Sequence, residues 1–199
     1  METLVGTHNS ATGEKPSSIL SYLGAPIGKC QNKTIWQQCK AGVRLFDLRV
    51  KPYRRIAKNK FRYPSAPIKD CSLGHGLCDY KITLKDALKK IDDYCTVFKE
   101  KAYVLVTLEG ELNEESHGKF TADVYGTVAD YKNVTLLEVN IKKPVWKQLW
   151  RNPSSKVTYT QEYPLITGWK ALFPFPRFWN RFIKYKQNPM GVYSLRDFV

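Results

Sequence analysis

Two neighbouring segments, Thr83 to Phe98 and Tyr103 to Leu108, constrain this chain more than any other feature. Leu84, Ala87, Leu88, Ile91, Cys95 and Phe98 recur at helical spacing, and Thr83 with Asp86 three residues on predicts an N-terminal cap. Tyr103-Val104-Leu105-Val106-Thr107-Leu108 follows as a nearly continuous apolar run, as expected of a strand covered on both faces. Such a strand needs a layer packed on each side of its sheet, which implies an α/β architecture.

The pattern recurs along the chain. Strands are expected at 3–8, 43–50, 73–77, 134–139, 157–159 and 191–199. Helices are expected at 35–40, capped by Thr34 and ended by Gly42, and at 120–131 and 145–150, with 12–28 a loop or short helix. This alternation implies a mostly parallel sheet and suits a compact, distorted β/α barrel of the TIM type. The 199 residues, 43% of them hydrophobic, are expected to form one domain, 1–199, whose core needs no disulfide or metal staple.

Thirty-two Lys and Arg against 18 Asp and Glu give a net charge of +14, which favours an anionic partner: nucleic acid, an acidic membrane surface or a phosphorylated substrate. The most basic stretch, Pro52 to Lys69, reads as a loop, with Arg54, Arg55 and Arg62 placed to meet phosphate or headgroups. Tyr53, Phe61 and Tyr63 in the same loop offer stacking, but no nucleic-acid recognition module accompanies them, so that partner is the weakest of the three. The aromatic 164–182 stretch reads as core or as a membrane-facing wedge.

Five cysteines without a C-x-x-C spacing read as free thiols, which slightly favours a reducing, cytoplasmic compartment. Cys39, Cys71 and Cys78 are expected to be packing residues. Nothing near Met1 has the form of a secretion signal, and no apolar run approaches the roughly 18 residues of a membrane span. Any membrane contact is then peripheral.

The candidate chemistry lies at strand ends. By alternation, Val43, Leu45, Asp47 and Arg49 share one face, as do Tyr103, Leu105, Thr107 and Glu109, and Tyr193, Leu195 and Asp197. His8 and His75 each close a short apolar run beside small residues. Imidazole is the side chain best able to exchange protons near neutral pH, and two are needed to serve opposite sides of one phosphorus. A guanidinium fork suits the non-bridging oxygens between them. His117, in a polar run, is expected in a surface loop.

Gly6-Thr7-His8-Asn9-Ser10, then Gln38-Cys39-Lys40-Ala41-Gly42-Val43-Arg44-Leu45-Phe46-Asp47-Leu48-Arg49, then His75-Gly76 leading into Thr83-Leu84, resembles the catalytic X region of phosphatidylinositol-specific phospholipase C. The match covers residues 3–109 and leans to the metal-independent bacterial type; 110–190 show none. The resemblance implies a distorted β/α barrel that cleaves a phosphodiester with the inositol 2-hydroxyl as nucleophile, giving diacylglycerol and inositol cyclic phosphate. It makes His8 the general base, His75 the general acid and Arg49 the phosphate-binding group oriented by Asp47, with Asp197 fixing the tautomer of His8. Asn9, Glu109 and Arg54 would line the substrate. Asn9 stands where bacterial members have aspartate, and Asn9, Asp47 and Glu109 match three of the four oxygen ligands of calcium-dependent eukaryotic members. Arg49 replaces the fourth, which favours the metal-free form over a calcium-dependent one. The alternative function on the same barrel is a non-catalytic protein that binds an anionic headgroup or membrane.

Overall fold

A computed structural model describes residues 5–28, 30–52, 67–76, 78–141, 149–151, 158–161 and 192–196. Strand β1 (Val5–Thr7) is followed by a 3-10 turn at Ser10–Gly13, helix α1 (Ile19–Gly28), helix α2 (Ile35–Lys40) and strand β2 (Val43–Val50). Then come β3 (Ser72–His75), β4 (Cys78–Thr83), α3 (Leu84–Phe98), β5 (Ala102–Leu108), α4 (Glu114–Ala129) and β6 (Val134–Asn140). Short strands β7 (Leu149–Arg151), β8 (Thr158–Gln161) and β9 (Val192–Arg196) complete the described elements.

Local chemistry explains the helix boundaries. Thr34 and Gln37 form a reciprocal capping box at α2, and Thr83 and Asp86 form another at α3, each satisfying backbone N–H groups that the helix itself cannot. Gly42, with φ of +86°, turns the chain from α2 into β2. Leu84, Ala87, Leu88, Ile91 and Cys95 of α3 are buried at the spacing read from the sequence. Helix α4 begins at Glu114, earlier than the expected 120, because Asn113 takes the extended N-cap conformation with Glu114 and Glu115 in the first turn. His117 therefore lies in a helix, not in a loop, with Nε2 3.0 Å from the Leu112 carbonyl.

Strands pair in the order β6-β5-β2-β1-β9-β8, all parallel, with β7 antiparallel at the β8 edge. Among the described residues the sheet is open, since β6 and β7 do not pair with each other. Its two faces are both apolar. Phe46, Leu48, Val50, Val104, Val106 and Leu108 pack with α3 and α4 residues in the large cluster, whereas Leu45, Leu105, Leu137, Tyr193 and Leu195 form a small one on the other face. The expected alternation thus holds along β2, β5 and β9, except that Val43 joins the large cluster. Gly6 admits the close approach of β1 to its neighbours: a Cβ there would meet Leu195 at 2.9 Å and Leu45 at 3.2 Å.

Two expectations are corrected. The 73–77 segment is not a strand of the parallel sheet; β3 and β4 form an antiparallel hairpin attached at Val50↔Leu73 to the C-terminal end of β2. The alternation that marks β4 was present, with Cys78, Tyr80 and Ile82 buried and Lys81 exposed between them. Of the helix expected over 145–150, residues 149 and 150 lie instead in strand β7, where 149–151 find backbone partners on β8, and 145–148 lie outside the described residues. The 53–66 part of the basic loop and the whole 164–182 stretch lie outside the described residues.

Candidate active site

The C-terminal ends of β1, β2 and β5 and the β3–β4 hairpin bring six residues into one cluster, five of them buried. Parallel register sets the spacing, since Gly6 lies beside Leu45 and Arg49 beside Thr107. His8 and Asn9 follow β1, Asp47 and Arg49 end β2, Glu109 follows β5, and His75 closes β3. His8, Asn9, Asp47, Arg49 and Glu109 are each at most 5% exposed, whereas the His75 side chain is 25% exposed.

Asp47 is the hub. One carboxylate oxygen accepts the Asn9 N–H at 3.2 Å and Arg49 Nε at 3.1 Å, and the other accepts the Thr107 hydroxyl at 3.2 Å. Asn140 Nδ2 donates to the Thr107 oxygen at 3.4 Å, so the chain of donors continues onto β6. Asn9 presents its N–H because its backbone is left-handed, φ 47° and ψ 53°, a conformation asparagine tolerates better than most residues. Gln31 Nε2 donates to the His8 carbonyl at 2.9 Å, and Thr12 Oγ1 ties the Asn9 carbonyl to the backbone of Cys30 and Gln31.

Arg49 stands between two carboxylates. Besides Asp47 it meets Glu109 Oε2 at 3.4 Å, and its Nη2 lies 2.7 Å from His8 Nε2. A guanidinium can only donate, so Nε2 is the acceptor and the proton of the neutral imidazole sits on Nδ1. Glu109 Oε1 accepts the Gly76 N–H at 2.8 Å and lies 3.6 Å from His75 Nδ1. Burial alone would raise the Glu109 carboxyl, but His75, the Gly76 N–H and the Arg49 charge together hold it well below the usual carboxylate range. The two imidazole rings stand 6.2 Å apart between centroids at 76° to one another.

The structure therefore brings His8, His75, Arg49, Asp47, Asn9 and Glu109 together, while Asp197 and Arg54 lie outside the described residues. Sequence reading missed Thr107, Asn140, Thr12 and Gln31 as supports. Parity places Thr107 on the same face as Leu105 and Glu109, but the ties from 30–31 cross from a loop whose pairing no periodicity announces. The five cysteines are free, and Cys39, Cys71, Cys78 and Cys95 are buried. Burial pushes the Cys39 thiol up to about 12 and the Cys71 thiol up to about 11, so neither supplies a thiolate near neutral pH.

No family model and no curated protein matches the chain. Solved structures do. A mutant of the phosphatidylinositol-specific phospholipase C from Staphylococcus aureus aligns with a TM-score of 0.56 at 13% identity, covering 80% of this chain and 59% of that one. A second S. aureus structure, titled for modulation of that enzyme's membrane binding, aligns at 0.55 with 13% identity, over 80% and 60%. The Listeria monocytogenes enzyme aligns at 0.49 with 18% identity, over 69% and 51%. This chain thus spans about three fifths of the length of the S. aureus protein. Over the greater part of its length, the chain has the fold of bacterial phosphatidylinositol-specific phospholipase C.

Proposed function

We propose that the protein is a phosphodiesterase that cleaves phosphatidylinositol-type lipid by histidine acid/base chemistry. One observation carries this reading: His8, Arg49 and His75, far apart in sequence, converge on one site, with the two imidazoles 6.2 Å apart, the Arg49 guanidinium on His8 and Glu109 joining Arg49 to His75. His8 Nε2 takes the proton of the inositol 2-hydroxyl as its oxygen attacks phosphorus. The bond from phosphorus to the glycerol oxygen breaks, and His75 protonates that oxygen. Diacylglycerol leaves, and the inositol retains a cyclic phosphate. The deeper His8 suits the held inositol, and the more exposed His75 suits the departing lipid.

Arg49 blocks His8 Nε2 in the resting protein. An incoming phosphodiester draws the guanidinium onto its non-bridging oxygens, which frees the base and neutralises charge that grows in the transition state. Asp47 keeps Arg49 in place, and Glu109 provides a negative partner for the His75 cation. Arg196 is in register with Thr7, so Asp197, next in the chain, is assigned to hold the Nδ1–H of His8. Arg54 is assigned to the basic lip that meets the lipid headgroup.

The reaction is proposed to need no metal. The Arg49 guanidinium sits between Asp47 and Glu109, where a calcium ion bound by Asn9, Asp47 and Glu109 would face a fixed positive charge. The open sheet is proposed to be the larger part of a closed, distorted β/α barrel forming one domain. Among the described residues no helix is long and apolar enough to cross a membrane, and the proposed contact with anionic lipid is peripheral. Free buried thiols suit a reducing, cytoplasmic setting.

The test is turnover of phosphatidylinositol vesicles followed by phosphorus NMR. A cyclic inositol phosphate signal is the expected result. Binding to the vesicles with no product would instead identify a headgroup-binding protein.

A further inference from the structure

His75 is delivered by a hairpin that is lightly joined to the sheet. Among the described residues, β3 meets β2 at the pair Val50↔Leu73, and the Lys51 N–H donates to the Ser72 carbonyl at 3.1 Å. Within the hairpin the ladder slips between Ser72 and Gly74, so strand pairing alone does not set where the tip stands. A group that must protonate one oxygen needs placement to within about 1 Å.

Lys51 supplies a further constraint. It directly follows β2, two positions after Arg49, and its side chain is only 14% exposed, unusual for lysine. The stem lies across Gly74: a Cβ there would meet Lys51 Cδ at 2.7 Å, Lys51 Cε at 2.8 Å and the Cys78 carbonyl oxygen at 2.6 Å. Only glycine admits this approach. The ammonium donates to the Cys78 carbonyl at 3.2 Å and stands 2.7 Å from Asp79 Oδ1. Cys78 pairs with His75 and Asp79 with Gly74, so one lysine grips both strands where the imidazole is carried.

Two groups thus control His75 from different sides. Glu109 Oε1 lies 3.6 Å from Nδ1 and accepts the next N–H, that of Gly76, at 2.8 Å, which leaves Nε2 to face a leaving oxygen. Glu109 aims the ring, and Lys51 fixes the backbone behind it. The Asp79 carboxylate is 44% exposed, so its ion pair with Lys51 adds little to stability. The other edge of β4 is held separately: the Asp79 N–H donates to Ser21 Oγ at 3.0 Å and the Ser17 N–H to the Asp79 carbonyl at 2.8 Å. Folding therefore does not depend on the ammonium, whereas the position of the tip does.

We propose that Lys51 is a positioning residue for the general acid: lying across Gly74, it sets the hairpin tip and hence the distance from His75 to the leaving oxygen. The inference deepens the phosphodiesterase reading and rests on it for the acid role of His75. Lys51→Met keeps the stem and loses the ammonium, while Gly74→Ala pushes against the stem and the Cys78 carbonyl. Both are compared with wild type on the butyl and p-nitrophenyl diesters of inositol phosphate, the second of which has a leaving group that departs without a proton. Each variant is expected to lose about 10- to 100-fold in kcat on the butyl diester with little change in KM, and no more than about twofold on the p-nitrophenyl diester. Histidine ring NMR on the same proteins reads position without turnover: the His75 signals are expected to shift and those of His8 to stay. Wild-type kcat of Lys51→Met on the butyl diester, equal losses on both diesters, or failure of Lys51→Met to fold would each overturn the positioning role. Where wild type cleaves neither diester, the phosphodiesterase reading fails and the NMR decides alone: displaced His75 signals support the grip of Lys51 on the hairpin, and unmoved ones remove it.

Discussion

Arg49 Nη2 lies 2.7 Å from His8 Nε2. The pairing joins a permanent cation to the lone pair of a neutral imidazole, which occupies the nitrogen of the proposed base while the site is at rest. It also makes the same guanidinium the partner of His8, Asp47 and Glu109, so its replacement acts on both folding and chemistry.

Arg49→Lys keeps the charge but loses the fork. Turnover is expected to fall about 100- to 1,000-fold, with a smaller change in KM. Arg49→Ala leaves two buried carboxylates without their cation and is expected to cost about 3–5 kcal/mol of stability. Steady-state kinetics and urea unfolding separate the two effects.

The Glu109 carboxyl gives the acid limb of stability a definite sign. Its pKa is lowered on folding from the ordinary 4.5, so its stabilising contribution is fully present above that value and is lost as pH falls through the folded pKa. Glu109→Gln is therefore expected to be less stable than wild type at pH 7, with the gap narrowing below about pH 4.5. Urea midpoints at pH 7, 5 and 3 measure it. A gap that widens on acidification would reverse the sign assigned here.

Thr107 supports Asp47 from the neighbouring strand without joining the chemistry. Thr107→Val removes a buried hydroxyl donor to a carboxylate and is expected to cost about 1.5–3 kcal/mol, whereas Thr107→Ser retains most of that stability. Thermal unfolding of the pair distinguishes the lost hydrogen bond from lost packing.

Much of this arrangement is legible in the residues themselves. The alternation Leu45, Asp47, Arg49 and Leu105, Thr107 carries an apolar face into an ionic end, and parallel pairing of β2 with β5 sets those faces side by side. The capping pairs Thr34 with Gln37 and Thr83 with Asp86 are local and were readable for that reason. The β3–β4 hairpin was not, because a short strand ending at His75 reads the same whether its partner runs parallel or antiparallel. Nor was the exposed face of α1, since Ile19, Leu20, Tyr22 and Leu23 among glycine and proline look like buried or irregular chain until Ser21 is seen to hold the hairpin. The ties from Gln31 to His8 and from Thr12 to Cys30 are set by tertiary contact alone.

Metal independence has a direct check. With Arg49 between Asp47 and Glu109, turnover of phosphatidylinositol is expected to be unchanged by a calcium chelator and by added calcium at fixed ionic strength. Loss of turnover on chelation, restored by calcium, would show that Arg49 swings away and the carboxylates bind the ion.

The most direct measurement is turnover of phosphatidylinositol by His8→Ala and His75→Ala beside wild type, with folding verified by circular dichroism. Each variant is expected to lose about 100- to 10,000-fold in kcat, and His75→Ala is expected to recover in part on a substrate whose leaving group needs no proton. Wild-type rates in both variants, or no product from wild type itself, would contradict acid/base catalysis by this histidine pair.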